Sequence, residues 1–166
     1  MKPKFLNAFM DTAHRFAQLS TARRAKVGAI IVKDSRIISI GYNGMPAGWD
    51  NNCEHEDWPD WIENNPKALR DPAYLRLHTK DEVLHAETNA IAKVARSAES
   101  CEGATMFCTH LPCIQCAKLI YQSGIECVYY DNDYHSAVGV GKEFLLRSGV
   151  RTIHWPTDKN TEKSIA

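Results

Sequence analysis

A mixed α/β domain is what this sequence predicts, with a sheet of about five strands set between helical layers. Three observations carry that expectation. Apolar side chains at Phe5, Leu6, Phe9, Met10, Ala13, Phe16, Ala17 and Leu19 recur at the three-to-four spacing of an amphipathic helix over residues 3–19. Two β-rich runs, Val27–Val32 and Ile37–Ile40, follow, separated only by Lys33-Asp34-Ser35-Arg36, which is the chemistry of a tight polar turn between apolar strands. The second half of the chain then alternates helical with strand patterns.

The segment from Gly41 to about Leu84 is the irregular part. Gly41, Gly44, Pro46, Gly48, Pro59, Pro66 and Pro72 punctuate it, and Trp49, Trp58 and Trp61 are scattered through it. It is too long for a simple connection, so it reads as a functional loop with short helical pieces, one of them opened by Asp71-Pro72. Regular structure resumes with a helix from about His85 to Ser97 and an apolar strand over Ala104–Thr109. Cys113 to Ser123 is helical, with Gly124 suited to its C-terminal cap. Ile125–Tyr130 reads as a strand, Val138–Ser148 as a helix closed by Gly149, and Val150–His154 as the last strand. Residues 1–156 thus form one expected domain, and 157–166 a polar tail.

Composition narrows the function. Twenty Lys and Arg balance twenty Asp and Glu, a formal net charge of zero. That argues against a large basic face for a nucleic-acid backbone, though not against a small pocket for a single phosphate. Met1-Lys2-Pro3-Lys4-Phe5 has no apolar signal-peptide core, and no apolar run approaches the roughly 18 residues of a membrane span. The expectation is a cytoplasmic protein with no membrane partner, whose six cysteines are thiols or metal ligands.

The chemistry concentrates in His85-Ala86-Glu87 and Pro112-Cys113-Ile114-Gln115-Cys116, each of which opens a predicted helix. Cys113 and Cys116 lie three apart and share one helical face in the first turn, where the helix dipole favours thiolates. Two thiolates and one imidazole suit a single catalytic zinc, and three protein ligands leave a fourth position for water, whose pKa zinc lowers to about 7. Glu87, two residues after His85, is the candidate proton carrier. Taken alone, Cys-x-x-Cys can be a redox pair or half of a zinc knuckle, but with His-x-Glu it is the mark of zinc deaminases.

At these residues the chain resembles the cytidine and deoxycytidylate deaminase superfamily, and more narrowly the dCMP deaminases. The likeness extends to Val27-Gly28-Ala29-Ile30-Ile31-Val32, Gly41-Tyr42-Asn43-Gly44-Met45-Pro46-Ala47-Gly48, His85-Ala86-Glu87-Thr88-Asn89-Ala90-Ile91 and Cys116-Ala117-Lys118-Leu119-Ile120, and runs over about residues 5–155. The resemblance implies a three-layer α/β/α sandwich and the hydrolysis of dCMP to dUMP, which supplies thymidylate synthesis. It gives Asn43 a hydrogen bond to the nucleotide sugar, with an ordinary turn residue as the competing account. Tyr134 and His135 are similar to a pair that closes over the nucleotide, and with Arg24 and Lys26 they are candidates for the 5′-phosphate. A solvated face is the alternative for Arg23, Arg24 and Lys26.

The resemblance also implies a homo-oligomer, a hexamer being favoured, and control by dCTP and dTTP with Mg2+. Gly41, Tyr42 and Gly44 would then help form an effector site at a subunit boundary, with Arg96 supporting it. Cys53, His55 and His78 are candidates for a second, structural zinc but lack a fourth partner. Cys101, Cys108 and Cys127 read as small buried hydrophobes. Two other functions keep the same motif: a tRNA adenosine deaminase, and a non-catalytic zinc or nucleotide-binding domain.

Overall fold

Alternation along the central strands decides the layering. The computed structural model describes residues 1–65, 67–134 and 139–155. Seven strands are described: β1 Gly28–Lys33, β2 Arg36–Tyr42, β3 Glu54–Asp57, β4 Arg76–Thr79, β5 Thr105–His110, β6 Cys127–Asn132 and β7 Arg151–His154. Five make one sheet in the order β2-β1-β5-β6-β7. β1 pairs antiparallel with both β2 and β5, whereas β5–β6 and β6–β7 are parallel. The sheet is therefore mixed, as predicted. Between β1 and β2, Asp34 and Ser35 have φ of 49° and 60°, the left-handed conformation that a tight two-residue hairpin turn requires.

Among the described residues there are five helices, α1 Pro3–Ala17, α2 Asp60–Glu63, α3 Ala86–Val94, α4 Ile114–Gln122 and α5 Lys142–Arg147. On one face of the sheet, Ile30, Val32 and Phe107 pack against Leu6, Phe9, Met10 and Ala13 of α1. On the other, Ala29, Ile31, Met106, Cys108, Val128 and Tyr130 pack against α3, α4 and α5 through Ala86, Ala90, Ala117, Ile120 and Leu145. Successive strand residues thus enter opposite cores, which is the period-two rule applied to a sheet covered on both sides. Each fully buried Leu, Ile or Phe here contributes roughly 1.5–3 kcal/mol.

Two glycines set how closely helices approach the sheet. A methyl group on Gly28 would meet the Ala13 carbonyl oxygen of α1, and one on Gly41 would meet the Ala86 carbonyl oxygen of α3. Gly41 is thereby accounted for as a packing residue that lets β2 approach α3 closely.

The irregular segment holds more structure than its sequence suggested. β3 and β4 form a separate two-stranded antiparallel sheet, with Glu54 opposite Thr79 and His55 opposite His78. α2 and a 3-10 turn at Pro72–Tyr74 supply the expected helical pieces, and Asp71 does cap that turn by accepting the Ala73 N–H. The last helix begins at Lys142, later than predicted; Val138, its predicted start, lies outside the described residues, as do Pro66 and the polar tail 157–166.

Candidate active site

Two helix N-termini meet at the C-terminal end of β5. His85 is the N-cap of α3 and Cys113 the N-cap of α4; both are extended, and neither side chain bonds to its own helix end. Each is therefore free to point across the gap. Cys116 follows one turn into α4. The His85 Nδ1 lies 3.6 Å from the Cys113 Sγ and 3.3 Å from the Cys116 Sγ. The donor atoms of His85, Cys113 and Cys116 all lie within 4.8 Å of one another, and no other such group forms among the described residues.

The electrostatics of this triad suit a cation. The Cys113 thiol is pushed down to about 4 because the Cys116 thiol hydrogen-bonds to it and His85 stands beside it, burial opposing. The same sulfur–sulfur hydrogen bond raises Cys116. Its bond to Cys113 also raises His85, against the effect of burial. One thiolate is thus already favoured, and a divalent ion would displace the remaining proton. The residues fit zinc: two sulfurs and one imidazole nitrogen in a tight cluster, with both thiols buried and the cluster facing a cavity.

Glu87, in the first turn of α3, lies in the wall of the same cavity and is 4% exposed. Burial raises its affinity for a proton, partly offset by its own backbone N–H and by His85. A carboxyl so placed can hold a proton and give it up beside the triad.

The cavity measures about 210 Å³. Of the remaining predicted residues, it gathers Asn43, Arg24 and Tyr134. The Asn43 side chain spans the preceding turn, its Oδ1 accepting the Val27 N–H at 2.8 Å and its Nδ2 donating to the Ala25 oxygen at 2.8 Å. Arg24 stands on the rim with Nη1 donating to Thr79 Oγ1 at 2.9 Å. Tyr134 meets His110 edge-on at 6.4 Å between ring centres. Lys26 is exposed and does not line the cavity. His135 lies outside the described residues.

Other predicted residues fall elsewhere. Tyr42 is half-buried, its carbonyl accepting from Asn89 Nδ2 at 2.9 Å, and Gly44 exchanges two backbone hydrogen bonds with Leu84. Both tie the Gly41–Gly48 stretch to the start of α3. Arg96 is exposed just beyond α3. Cys53, His55 and His78 are not brought together as a metal group. Cys53 is buried with its sulfur 3.4 Å from Thr21 Oγ1, while the two histidines sit in register on β3 and β4 and are exposed.

Three polar cavity residues were not foreseen: Glu54, Thr79 and His110. His110 carried a signal, since it ends the strand that leads directly into Pro112-Cys113. Glu54 and Thr79 carried none, because only the pairing of β3 with β4 places them.

The family model for the cytidine and deoxycytidylate deaminase zinc-binding region matches residues 3–132. The chain belongs to that family. Among its relatives, the deoxycytidylate deaminase of Enterobacteria phage T4 is 35% identical over 177 residues, covering 93% of this chain and 91% of the relative. The human deoxycytidylate deaminase is 38% identical over 132 residues, 78% of this chain and 66% of the relative. The crystal structure of dCMP deaminase from the cyanophage S-TIM5 in complex with dCMP and dUMP is 40% identical, with a TM-score of 0.75, covering 93% of this chain and 98% of that one. Family membership bears out the predicted deaminase class of enzyme and the α/β architecture. Among the described residues no helix is long and apolar enough to cross a membrane.

Proposed function

We propose that this family member hydrolyses the 4-amino group of a free deoxycytidine nucleotide, dCMP first among them, giving dUMP and ammonia. The observation that carries the reading is a three-donor sulfur–nitrogen cluster beside a buried carboxyl, both facing one cavity. The relatives named deoxycytidylate deaminase, and the cyanophage protein seen with dCMP and dUMP, support the choice of nucleotide.

His85, Cys113 and Cys116 would hold the zinc. When bound, it supplies the Lewis acidity that makes water nucleophilic at neutral pH. Glu87 does the proton work. It accepts a proton as the water oxygen bonds to C4, and delivers a proton to ring N3. It then takes the remaining proton of that water from the new C4 hydroxyl and carries it to the amino nitrogen, and the C4–N4 bond breaks to leave a C4 carbonyl and ammonia. Burial of Glu87 and the positive helix end beneath it hold the carboxyl in place for both transfers. Arg24 and Tyr134 at the rim, with His135, take the 5′-phosphate, and Asn43 shapes the sugar end of the cavity. Lys26 belongs to the solvated face.

The reading extends to an enzyme of one domain over residues 1–156, cytoplasmic and homo-oligomeric with a hexamer favoured, that supplies dUMP for thymidylate synthesis. Control by dCTP and dTTP with Mg2+ would act through the Tyr42–Gly44 stretch, which hydrogen-bonds to the α3 end carrying His85. The zinc-loaded protein should be assayed with dCMP, dCTP, cytidine, cytosine and a tRNA anticodon stem-loop. Ammonia release from dCMP is the expected result; turnover confined to the RNA would defeat the proposal.

A further inference from the structure

Glu54 opens β3, is 1% exposed, and lines the same cavity as His85 and Glu87. One of its carboxylate oxygens is committed: Oε1 accepts the backbone N–H of Arg23 at 2.9 Å and of Arg24 at 3.3 Å. The other, Oε2, is buried and has no hydrogen-bond partner. The nearby Arg23 cannot supply one. Its Nε stands 3.7 Å away, beyond hydrogen-bond reach, and its Nη1 is spent on Glu56 at 2.9 Å. A buried acceptor left unpaired costs about 1–3 kcal/mol, more when it belongs to a charged group, so its partner is to be sought in what enters the cavity.

The neighbouring polar groups are already engaged. Both ends of the Asn43 amide are bound to the Ala25–Val27 backbone, and Thr79 Oγ1 receives Arg24. The ring O2 and N3 of an incoming cytosine nucleotide are themselves acceptors and cannot partner a carboxylate oxygen, which leaves three kinds of polar group to consider. The phosphate would be repelled by a carboxylate. The 4-amino group must sit against Glu87 and the triad, where it leaves. The sugar hydroxyl remains, and a 2′-deoxynucleoside 5′-phosphate has only one, at the 3′ position.

We propose that Glu54 Oε2 accepts the hydrogen bond of the substrate's 3′-hydroxyl and so determines specificity for an intact deoxyribose. The inference rests on the nucleotide-deaminase reading above. It assigns the sugar contact to a residue of the irregular insert, while Asn43 serves as the brace of the turn beneath it.

The test compares dCMP with 2′,3′-dideoxy-CMP on the zinc-loaded wild type and on Glu54→Gln, with kcat and KM measured separately. Glutamine keeps an oxygen for the Arg23 and Arg24 N–H groups and replaces Oε2 by a donor, so the turn is preserved. The wild type is expected to favour dCMP by about 10- to 100-fold in kcat/KM, the value of a buried hydrogen bond to a charged group. In Glu54→Gln that preference should collapse towards one, through loss on dCMP with the dideoxy substrate little changed. Equal loss on both substrates would show that Glu54 only holds the turn, and would overturn the proposal. A wild-type ratio near one would overturn it as well, which keeps the test decisive if the variant does not fold. A wild type that deaminates no deoxycytidine nucleotide would instead defeat the functional reading on which the proposal stands.

Discussion

The cavity has two walls, and they are built differently. One wall is the pair of N-termini of α3 and α4, where His85, Glu87, Cys113 and Cys116 stand on regular elements anchored in the larger core. The other comes from the segment between β2 and α3, whose two-stranded sheet rests on a small cluster of Ala22, Cys53 and Val83 and on the exposed Arg23–Glu56 ion pair. The first wall needs ångström precision for proton transfer and ligand geometry, so it is set on helices whose buried faces leave little freedom. The second only has to recognise the rest of the nucleotide. On the proposed function, reaction chemistry and substrate choice therefore reside in parts of the chain with different mechanical support.

The sharpest break in the first wall is Cys113→Ala. It removes one of three metal donors and the thiolate already favoured in the cluster. Zinc content by elemental analysis should fall to background and turnover should be lost. Full zinc occupancy in that variant would mean the ligands are wrongly assigned. Glu87→Ala comes next: zinc retained and the fold kept, with kcat reduced by about 100- to 10,000-fold, the usual contribution of a positioned acid–base group. A near-normal kcat would remove Glu87 from the chemistry.

The two walls also differ in how far their sequence discloses them. His85-x-Glu87 and Cys113-x-x-Cys116 are short local patterns at helix starts, so the clustering of these side chains beside one cavity was legible. The apolar runs Val27–Val32, Ala104–Thr109 and Ile125–Tyr130 made the sheet legible for the same local reason. β3 reads Glu54-His55-Glu56-Asp57 and β4 reads Arg76-Leu77-His78-Thr79, with no apolar alternation to mark a strand. Glu54 in particular looks like a solvated acid, and only the return of the chain onto Arg23 and Arg24 buries it. The second-metal candidates show the same limit of local reading. Cys53, His55 and His78 are close along the chain or across a strand pair, but the cysteine faces the core and the histidines face water.

The junction between the walls can be probed with two glycines of the same stretch. Gly41→Ala forces a methyl group against the α3 backbone at Ala86 and Ala90. It should cost about 1–3 kcal/mol, with a thermal midpoint lowered by several degrees and zinc held less tightly, because α3 carries His85. Nothing lies within 4 Å of a methyl group built on Gly44, so Gly44→Ala should stay within about 0.5 kcal/mol of wild type. Equal losses would mean that the close approach of β2 to α3 does not set the position of the first wall.

The smallest effect concerns His110, which ends β5 and lines the cavity. Burial lowers its proton affinity, the neighbouring His14 lowers it further, and Asp131 acts in the opposite direction. The folded protein therefore takes up this proton at a lower pH than the unfolded chain, whose histidine titrates near about 6.5. As pH falls below that value the unfolded state binds more protons, so stability declines; the contribution is regained as pH rises back through the same window. His110→Asn should flatten this part of the curve. Urea unfolding of both proteins between pH 5 and 7.5, saturated with zinc so that ligand protonation contributes equally, isolates the difference. The wild type should lose the larger share of its stability on acidification. Parallel curves would show that His110 is solvated enough to titrate as it does in the unfolded chain, which would place it with the open insert and not with the buried wall.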